Sequence, residues 1–174
     1  MVTEKQVADA LRDADAVLRG EFELSSGRTS DYYVDKYVFE TQPDALRVVG
    51  SAIAEKVTET DADRIGAVAL GGVPLAAVAS AESGVPYVIA RKEEKGYGTA
   101  NAVEGELEEG DRVVVVEDIV TTGASAVEAV EKLRDAGATV DEVIVVVDRQ
   151  EGGRERVEEA GLRMHALTTA EELV

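Results

Sequence analysis

The sequence has no cysteine and a single histidine, and both shortages limit its chemistry. Without cysteine there is no disulfide, no thiolate zinc site and no cysteine nucleophile. His165 alone excludes a multi-histidine metal site, and its position in a late apolar segment predicts a structural role. Mechanisms that depend on cysteine or on paired histidines are therefore excluded.

Long apolar runs are also missing. No run approaches the roughly 20 residues that a membrane-spanning helix needs. The first residues, MVTEKQVADA, lack the charged-then-apolar order of a signal peptide. We therefore expect a cytoplasmic protein that binds no membrane. Its 174 residues, 45% of them hydrophobic, suffice for one domain with its own core.

Positive charge is scarce, since 36 acidic residues face 18 basic ones and the net charge is −18. Such a surface repels nucleic acid, whose phosphates are normally met by basic patches. The acids recur along the whole chain, as in a protein adapted to high salt, where screening shortens the reach of self-repulsion. The alternative is an ordinary acidic cytoplasmic protein.

The apolar pattern alternates between helical and strand periodicity. Residues 3–19 are predicted to form a helix ending at Gly20, residues 22–39 a turn followed by a β-rich segment, and residues 43–58 a helix opened by Pro43. Further strands are predicted at 64–70, 85–91, 111–116, 141–148 and 163–167, and further helices at 74–83, 124–136, 154–160 and the end of the chain.

This alternation indicates an α/β fold, with a central parallel sheet flanked by helices. Ligands of such sheets bind at the carboxyl ends of the strands. Four segments are thereby predicted to share one edge of the sheet: 71–74, 92–105, 117–125 and 148–153.

The segment 113–125, VVVVEDIVTTGAS, carries a phosphate signal in its second half. A helix start offers unpaired N–H groups and a partial positive charge. Thr121, Thr122 and Ser125 add hydroxyl donors, and Gly123 lets the backbone approach a ligand closely. The alternative is plain N-capping by Thr or Ser. No Gly-Lys-Thr/Ser follows, so this is not a Walker A loop.

Two acids, Glu117 and Asp118, precede that phosphate signal. Carboxylates should repel a phosphate, so we expect these two to contact another part of the same ligand. Ribose hydroxyls are suitable donors to a carboxylate, and a carboxylate also stabilises positive charge on a sugar carbon. The order of acids and Thr-Thr-Gly resembles the phosphoribosyl-diphosphate motif of type I phosphoribosyltransferases. The resemblance implies that the acids hold the ribose 2′ and 3′ hydroxyls.

The same resemblance assigns the 5′-phosphate to the residues that follow. The motif residues implied to bind phosphoribosyl diphosphate are Glu117, Asp118, Ile119, Val120, Thr121, Thr122, Gly123, Ala124 and Ser125.

Basic residues cluster in the loop 91–101, RKEEKGYGTAN. The alternative is a solvated surface loop, but the spacing resembles the catalytic loop of orotate phosphoribosyltransferases. That family implies that Lys95 assists departure of the diphosphate, that Arg91 and Lys92 grip it, and that the loop 92–105 reaches the partner's site in a homodimer. Many members have His where this chain has Tyr97, which can still donate a hydrogen bond.

Two further segments resemble the part of that family's site that binds the base. FELSSGRTSDYYVD (22–35) is similar to its N-terminal signature, and a hood of about residues 1–40 is implied in a single domain spanning 1–174. Tyr32 and Tyr33 would contact the base, or else pack in a strand. Many members carry Lys in place of Ser25. In VVVDRQEGG (145–153), Arg149 would pair with the carboxylate of orotate, or else with a surface acid.

Thr121, at the centre of the site, is also implied to touch orotate. The segment ALGGVPLAA (69–77) fits the family's diphosphate-binding turn, with N–H groups from Gly71 and Gly72. Some members have Lys in this turn, where this chain has Leu70 and Gly71.

The implied reaction joins orotate to phosphoribosyl diphosphate, with Mg²⁺ held mainly by the substrate and water rather than by protein side chains. Three alternatives remain: a phosphoribosyltransferase for another base, a non-catalytic sensor of phosphoribosyl diphosphate, and an unrelated α/β binding domain. Arg149 and the 22–35 signature favour orotate, and the lack of a basic patch argues against a DNA-binding regulator.

Overall fold

The computed structural model describes residues 1–24, 26–93 and 101–174. The strands within these ranges are β1 (Val17–Glu23), β2 (Thr29–Val34), β3 (Arg64–Val68), β4 (Tyr87–Ala90), β5 (Val103–Glu104), β6 (Arg112–Val120), β7 (Thr139–Asp148) and β8 (Arg163–Thr169). The helices are α1 (Glu4–Asp13), α2 (Lys36–Thr41), α3 (Pro43–Thr58), α4 (Gly72–Ser83), α5 (Ala124–Asp135), α6 (Gly153–Glu159) and α7 (Ala170–Leu173).

Six strands form the central sheet, in the order β5-β4-β3-β6-β7-β8. All neighbouring strands are parallel except β4 and β5, which are antiparallel. The predicted α/β class is confirmed. The chain moves outward from β3 to one edge and then returns to β6 and the other edge, so the strand order reverses between β3 and β6. Ligands of open parallel sheets bind outside the carboxyl ends of the strands at such a point.

Both faces of the sheet are covered, because successive side chains of a strand point to opposite faces. Val114 and Val116 of β6 pack with α1, α3 and α4 in one buried core. Val113 and Val115 pack with α5 and α6 in the other. The helix α3 begins at Pro43 and ends at Thr58, as predicted.

The first helix is shorter than its apolar periodicity predicts. It ends at Asp13, and Asp15 adopts a left-handed conformation with φ of 58°. Leu18, predicted to lie on the helix, instead pairs with Tyr33 in the separate two-stranded sheet of β1 and β2. Pairing with the next strand of the hairpin therefore outweighs helical periodicity here.

Other predicted boundaries change as well. Residues 36–41 form the helix α2 rather than the end of a β-rich segment, and Val103–Glu104 pairs with β4 inside the predicted loop 92–105. The strand predicted at 111–116 continues to Val120. Within the described ranges, none of the helices combines the length and the apolar character that a bilayer crossing requires.

Candidate active site

An open cavity of about 620 Å³ lies at the carboxyl end of β6. Residues 118–126, from the end of β6 to the first turn of α5, line one side. The β1–β2 hairpin and the residues beside it supply Glu23, Leu24, Ser26, Tyr33 and Val34. Lys36 and Arg149 are the basic residues among the described lining, so cationic and anionic groups converge on one space.

The acidic pair lies within β6 rather than in the loop after it, because the strand runs two residues beyond Asp118. Glu117 is 5% exposed and Asp118 is 2% exposed. Asp118 lines the cavity, whereas Glu117 turns its Oε1 to accept a hydrogen bond from the Asp118 N–H at 3.1 Å. Asp118 Oδ1 accepts one from the Ile119 N–H at 2.6 Å. The backbone thus fixes the Asp118 carboxylate at the floor of the cavity.

Two residues of α2 meet the other oxygen of Asp118. The Lys36 ammonium lies 3.0 Å from Asp118 Oδ2, close enough for an ion pair although its direction is poor for a hydrogen bond. The Glu40 carboxyl, 3% exposed, lies beside it. Gly71 packs against both acids, because a Cβ there would overlap Asp118 Oδ2 and lie 2.6 Å from Glu40 Oε1. A side chain at position 71 would therefore require both carboxyl groups to move.

The three acids differ in charge. Burial and the adjacent negative charge of Asp118 raise the pKa of Glu40 to about 9. Burial and the Asp118 charge also raise the pKa of Glu117 well above its usual value. Burial opposes ionisation of Asp118 too, but the neighbouring carboxyl groups of Glu117 and Glu40 and the Lys36 charge hold its pKa below the usual value. Asp118 is therefore the acid that carries the negative charge.

The positive charge of Lys36 is stabilised by the same ion pair with Asp118. Burial alone would lower the pKa of Lys36, but the Asp118 carboxylate outweighs it and raises that pKa. Lys36 and Asp118 therefore form an ion pair at the floor of the cavity.

The backbone at the start of α5 leaves room for a ligand to approach closely. Gly123, the N-cap, has φ of 80°, and a Cβ there would lie 2.7 Å from the Gly153 carbonyl oxygen. No side chain caps α5 from the N-cap position, and the Ala124 N–H makes only a long bond, 3.4 Å, to Thr122 Oγ1. Simple capping by Thr or Ser therefore does not describe this turn, whose N–H groups are available to an anion.

Arg149 follows β7 and lines the opposite side of the cavity. Its guanidinium is 4.5 Å from the centroid of the Tyr32 ring, and its side chain donates to Glu151 Oε1 at 3.2 Å and to Ser30 Oγ at 3.4 Å. Tyr32 is buried, and burial raises its pKa. Tyr33 is 41% exposed and lines the cavity.

Other predicted residues lie apart from the cavity lining. Gly72 starts α4 behind Asp118, where a Cβ would lie 2.6 Å from the Val116 carbonyl oxygen. Arg91 is 3.8 Å from Glu104 Oε1, and Lys132 of α5 donates to the carbonyl oxygens of Arg91 and Lys92 at 2.8 Å each. Lys132 thereby ties the start of the basic loop to α5.

Three predicted positions lie outside the described residues: Ser25, Lys95 and Tyr97. His165 lies on β8, with Nε2 2.7 Å from Glu142 Oε2, and is not among the described residues that line the cavity.

Sequence reasoning missed Lys36 and Glu40, because the apolar residues around them resemble a strand. A signal was present in DKYVFE (35–40), where Lys36 and Glu40 have the i, i+4 spacing of one helix face. Asp35, a preferred N-cap residue type, precedes them.

Comparison with known proteins agrees with this geometry. The model of the phosphoribosyl transferase domain family matches residues 38–161. An orotate phosphoribosyltransferase of the halophilic archaeon Halobacterium salinarum is 58% identical over 174 residues, 100% of this chain and 98% of that protein.

Solved structures of orotate phosphoribosyltransferases have a similar fold. The crystal structure of orotate phosphoribosyltransferase from Aeropyrum pernix has a TM-score of 0.86 at 37% identity, covering 96% of this chain and 95% of that one. The enzyme from Mycobacterium tuberculosis H37Rv in complex with 5-phospho-α-D-ribosyl 1-diphosphate has a TM-score of 0.81 at 33% identity, with 98% of each chain covered.

Proposed function

We propose a role for each residue of the cavity on the premise that the chain belongs to the orotate phosphoribosyltransferases, a family with the type I phosphoribosyltransferase fold. The chain transfers the phosphoribosyl group of 5-phosphoribosyl 1-diphosphate to orotate in pyrimidine biosynthesis. A bond forms between orotate N1 and C1′ as the N1 proton is lost to solvent or to the departing diphosphate, the bond from C1′ to the diphosphate oxygen breaks, and diphosphate leaves with the electron pair. Orotidine 5′-monophosphate is the product.

One observation carries the assignment of roles: an ionised carboxylate, an uncapped helix start and a buried guanidinium line the same cavity. These groups complement a ribose diol, a phosphate and the carboxylate of the base, in that order. A ligand with all three parts is the product of the reaction.

Glu117 and Asp118 hold the ribose 2′ and 3′ hydroxyls. Departure of diphosphate leaves positive charge on the sugar ring, and a fixed negative charge lowers the free energy of that transition state. Asp118 supplies this charge, because its pKa is held low while that of Glu117 is raised. Glu117 orients Asp118, because its Oε1 accepts a hydrogen bond from the backbone N–H of Asp118.

The 5′-phosphate binds at the start of α5. The backbone from Ile119 and Val120 through Ala124 leads the chain around this group, and Thr121, Thr122 and Ser125 donate hydroxyl hydrogen bonds.

Orotate binds on the side of Arg149. The planar guanidinium pairs with the carboxylate of the base, and Thr121 contacts the ring. Tyr32 supports Arg149 from behind, while Tyr33 faces the cavity and contacts the base. About residues 1–40 contribute a hood over the base within the single domain 1–174, and the β1–β2 hairpin, which lies beside Arg149, is the part that faces the site.

The diphosphate binds between the Gly71–Gly72 turn and the basic loop. Arg91, Lys92 and Tyr97 contact it, and Lys95 assists its departure. The protein acts as a cytoplasmic homodimer, in which the loop 92–105 of one subunit enters the partner's site and helps to exclude water, which would otherwise hydrolyse the donor.

Mg²⁺ is the proposed cofactor. In the parts of the chain that the structure describes, no three His, Cys, Asp or Glu side chains are grouped to hold a metal. Mg²⁺ commonly binds through substrate phosphates and water rather than in an all-protein cage. Asp118 would hold it indirectly, through the ribose hydroxyls. When bound, Mg²⁺ neutralises the diphosphate.

A turnover assay with several bases tests the function. The protein is mixed with phosphoribosyl diphosphate, Mg²⁺ and either orotate, uracil or hypoxanthine, at low and at molar salt. We expect loss of orotate absorbance and formation of orotidine 5′-monophosphate. Turnover of hypoxanthine but not orotate would move the chain to another base. Binding of the donor without turnover of any base would favour a sensor.

A further inference from the structure

Lys36 is a cavity residue whose only described ion pair is with Asp118. Its side chain is 37% exposed, whereas that of Asp118 is 3% exposed. The ammonium therefore lies between a buried carboxylate and the open cavity, and it sits on a four-carbon stem that can turn toward either.

Asp118 does not depend on Lys36 for its position. Its Oδ1 accepts from the Ile119 N–H, and the Glu40 carboxyl, which keeps its proton at neutral pH, lies beside Oδ2. A protonated carboxyl can donate to the carboxylate. Asp118 thus keeps partners when the ammonium moves away.

We propose that Lys36 is a binding residue for the diphosphate of the donor, stored on Asp118 in the ligand-free chain and transferred to the diphosphate when a ribose hydroxyl binds Asp118. This inference rests on the proposed function. It adds to that function a cation, Lys36, that lies outside the basic loop.

The position of the Lys36 ammonium indicates that it binds the diphosphate rather than the 5′-phosphate. Lys36 and Gly71 meet the same atom, Asp118 Oδ2, so the ammonium lies at the turn proposed for the diphosphate. The 5′-phosphate has its own N–H groups at the start of α5. Among the described lining residues the other cation is Arg149, which is already engaged by Glu151 and Tyr32.

Electrostatics favours an additional cation at the diphosphate. The chain carries a net charge of −18, which repels a polyanionic donor. When a ribose hydroxyl binds Asp118, the Lys36 ammonium can move to the diphosphate. The carboxylate then gains a hydrogen-bond donor, and the diphosphate gains a positive charge.

Calorimetric titration with two probes tests the transfer: ribose 5-phosphate alone, and diphosphate in the presence of saturating ribose 5-phosphate. Lys36→Gln should raise the Kd for diphosphate about tenfold, the value of one charge-assisted contact, and change the Kd for ribose 5-phosphate less than about twofold. Lys36→Arg should stay within about threefold of wild type for both probes. Lys56→Gln removes the same charge from an exposed pair with Glu59 and should change neither Kd.

Equal weakening of both probes would overturn the proposal, since Lys36 would then act only through Asp118. An unchanged Kd for diphosphate in Lys36→Gln would overturn it as well. The wild-type protein offers a check that needs no variant. Ribose 5-phosphate alone should accelerate acetylation of Lys36, read by mass spectrometry, and diphosphate added together with it should slow the acetylation; no protection by diphosphate would contradict the proposal. Wild-type turnover of orotate, measured in parallel, separates this failure from failure of the proposed function.

Discussion

The guanidinium of Arg149 lies 4.5 Å from the centre of the Tyr32 ring, and both residues are buried at the side of the cavity. Stacking and the Glu151 and Ser30 contacts fix the plane of the guanidinium before any ligand binds. A fixed plane favours a planar, bidentate partner such as a carboxylate. The choice of base is therefore assigned to this pair rather than to the acids of β6.

Arg149→Gln should reduce kcat/KM for orotate roughly 100-fold, because losing one side of a buried charged pair costs about 2–5 kcal/mol. The KM for phosphoribosyl diphosphate should change less than about threefold. Steady-state kinetics with each substrate varied in turn measures both. Arg163→Gln, which removes an exposed arginine paired with Glu142, is the control and should match wild type. Equal losses for both substrates would contradict the role in the base site.

Gly123→Ala should destabilise the fold by about 2 kcal/mol and weaken phosphate binding. Its φ of 80° disfavours a side chain, and a Cβ would crowd the Gly153 carbonyl oxygen. Gly161→Ala is the matched control, with the same φ of 80° and no atom within 4 Å of an added Cβ. Urea denaturation should show a larger loss for Gly123→Ala; equal losses would mean that the close packing at α5 has no energetic effect.

Glu40 should make the stability depend on pH. Its folded pKa is about 9 and the ordinary value is 4.5, so between these values the folded state keeps a proton that the unfolded chain has lost. The stability present below pH 4.5 is therefore lost progressively as pH rises toward 9. Glu40→Gln should remove this loss and gain stability over wild type as pH rises.

The measurement is the free energy of unfolding of wild type and Glu40→Gln from pH 5 to pH 9 at fixed salt. Glu131→Gln, an exposed change on α5, should run parallel to wild type. If the Glu40→Gln curve is also parallel, then Glu40 ionises normally and does not carry the proton next to Asp118.

Salt should stabilise the chain, because its net charge of −18 opposes compaction. The thermal midpoint is expected to rise by several degrees between 0.1 M and 1 M KCl, as the Debye length falls from about 10 Å to about 3 Å. Most of the rise should come at the lower salt concentrations, where screening changes fastest. A midpoint that does not move, or that rises only above 1 M, would argue against screening of self-repulsion.

The local parts of the site could be read from the sequence. The valine run of β6, the Thr-Thr-Gly turn and the start of α5 follow one another directly, so apolar pattern and turn chemistry predict them together. Arg149 could be found in the same way, because it directly follows the apolar strand β7.

The missed parts depend on contacts between distant residues. Tyr37, Val38 and Phe39 are strand-forming types, yet α2 forms because Phe39 is fully buried in the core. Burial of Glu40 beside Asp118 joins positions 78 residues apart, a relationship that no local period records. Leu18 fits the period of α1 but follows the pairing of β1 with β2 instead.

Calorimetric titration of the wild-type protein with orotidine 5′-monophosphate and with uridine 5′-monophosphate tests the central claim most directly. The two ligands share the ribose and the phosphate, and they differ in the carboxylate that Arg149 is proposed to bind. Orotidine 5′-monophosphate should bind at least about tenfold more tightly, the value of one charge-assisted pair. Equal affinities would contradict the account, because the cavity would then hold a phosphoribosyl group without recognising orotate.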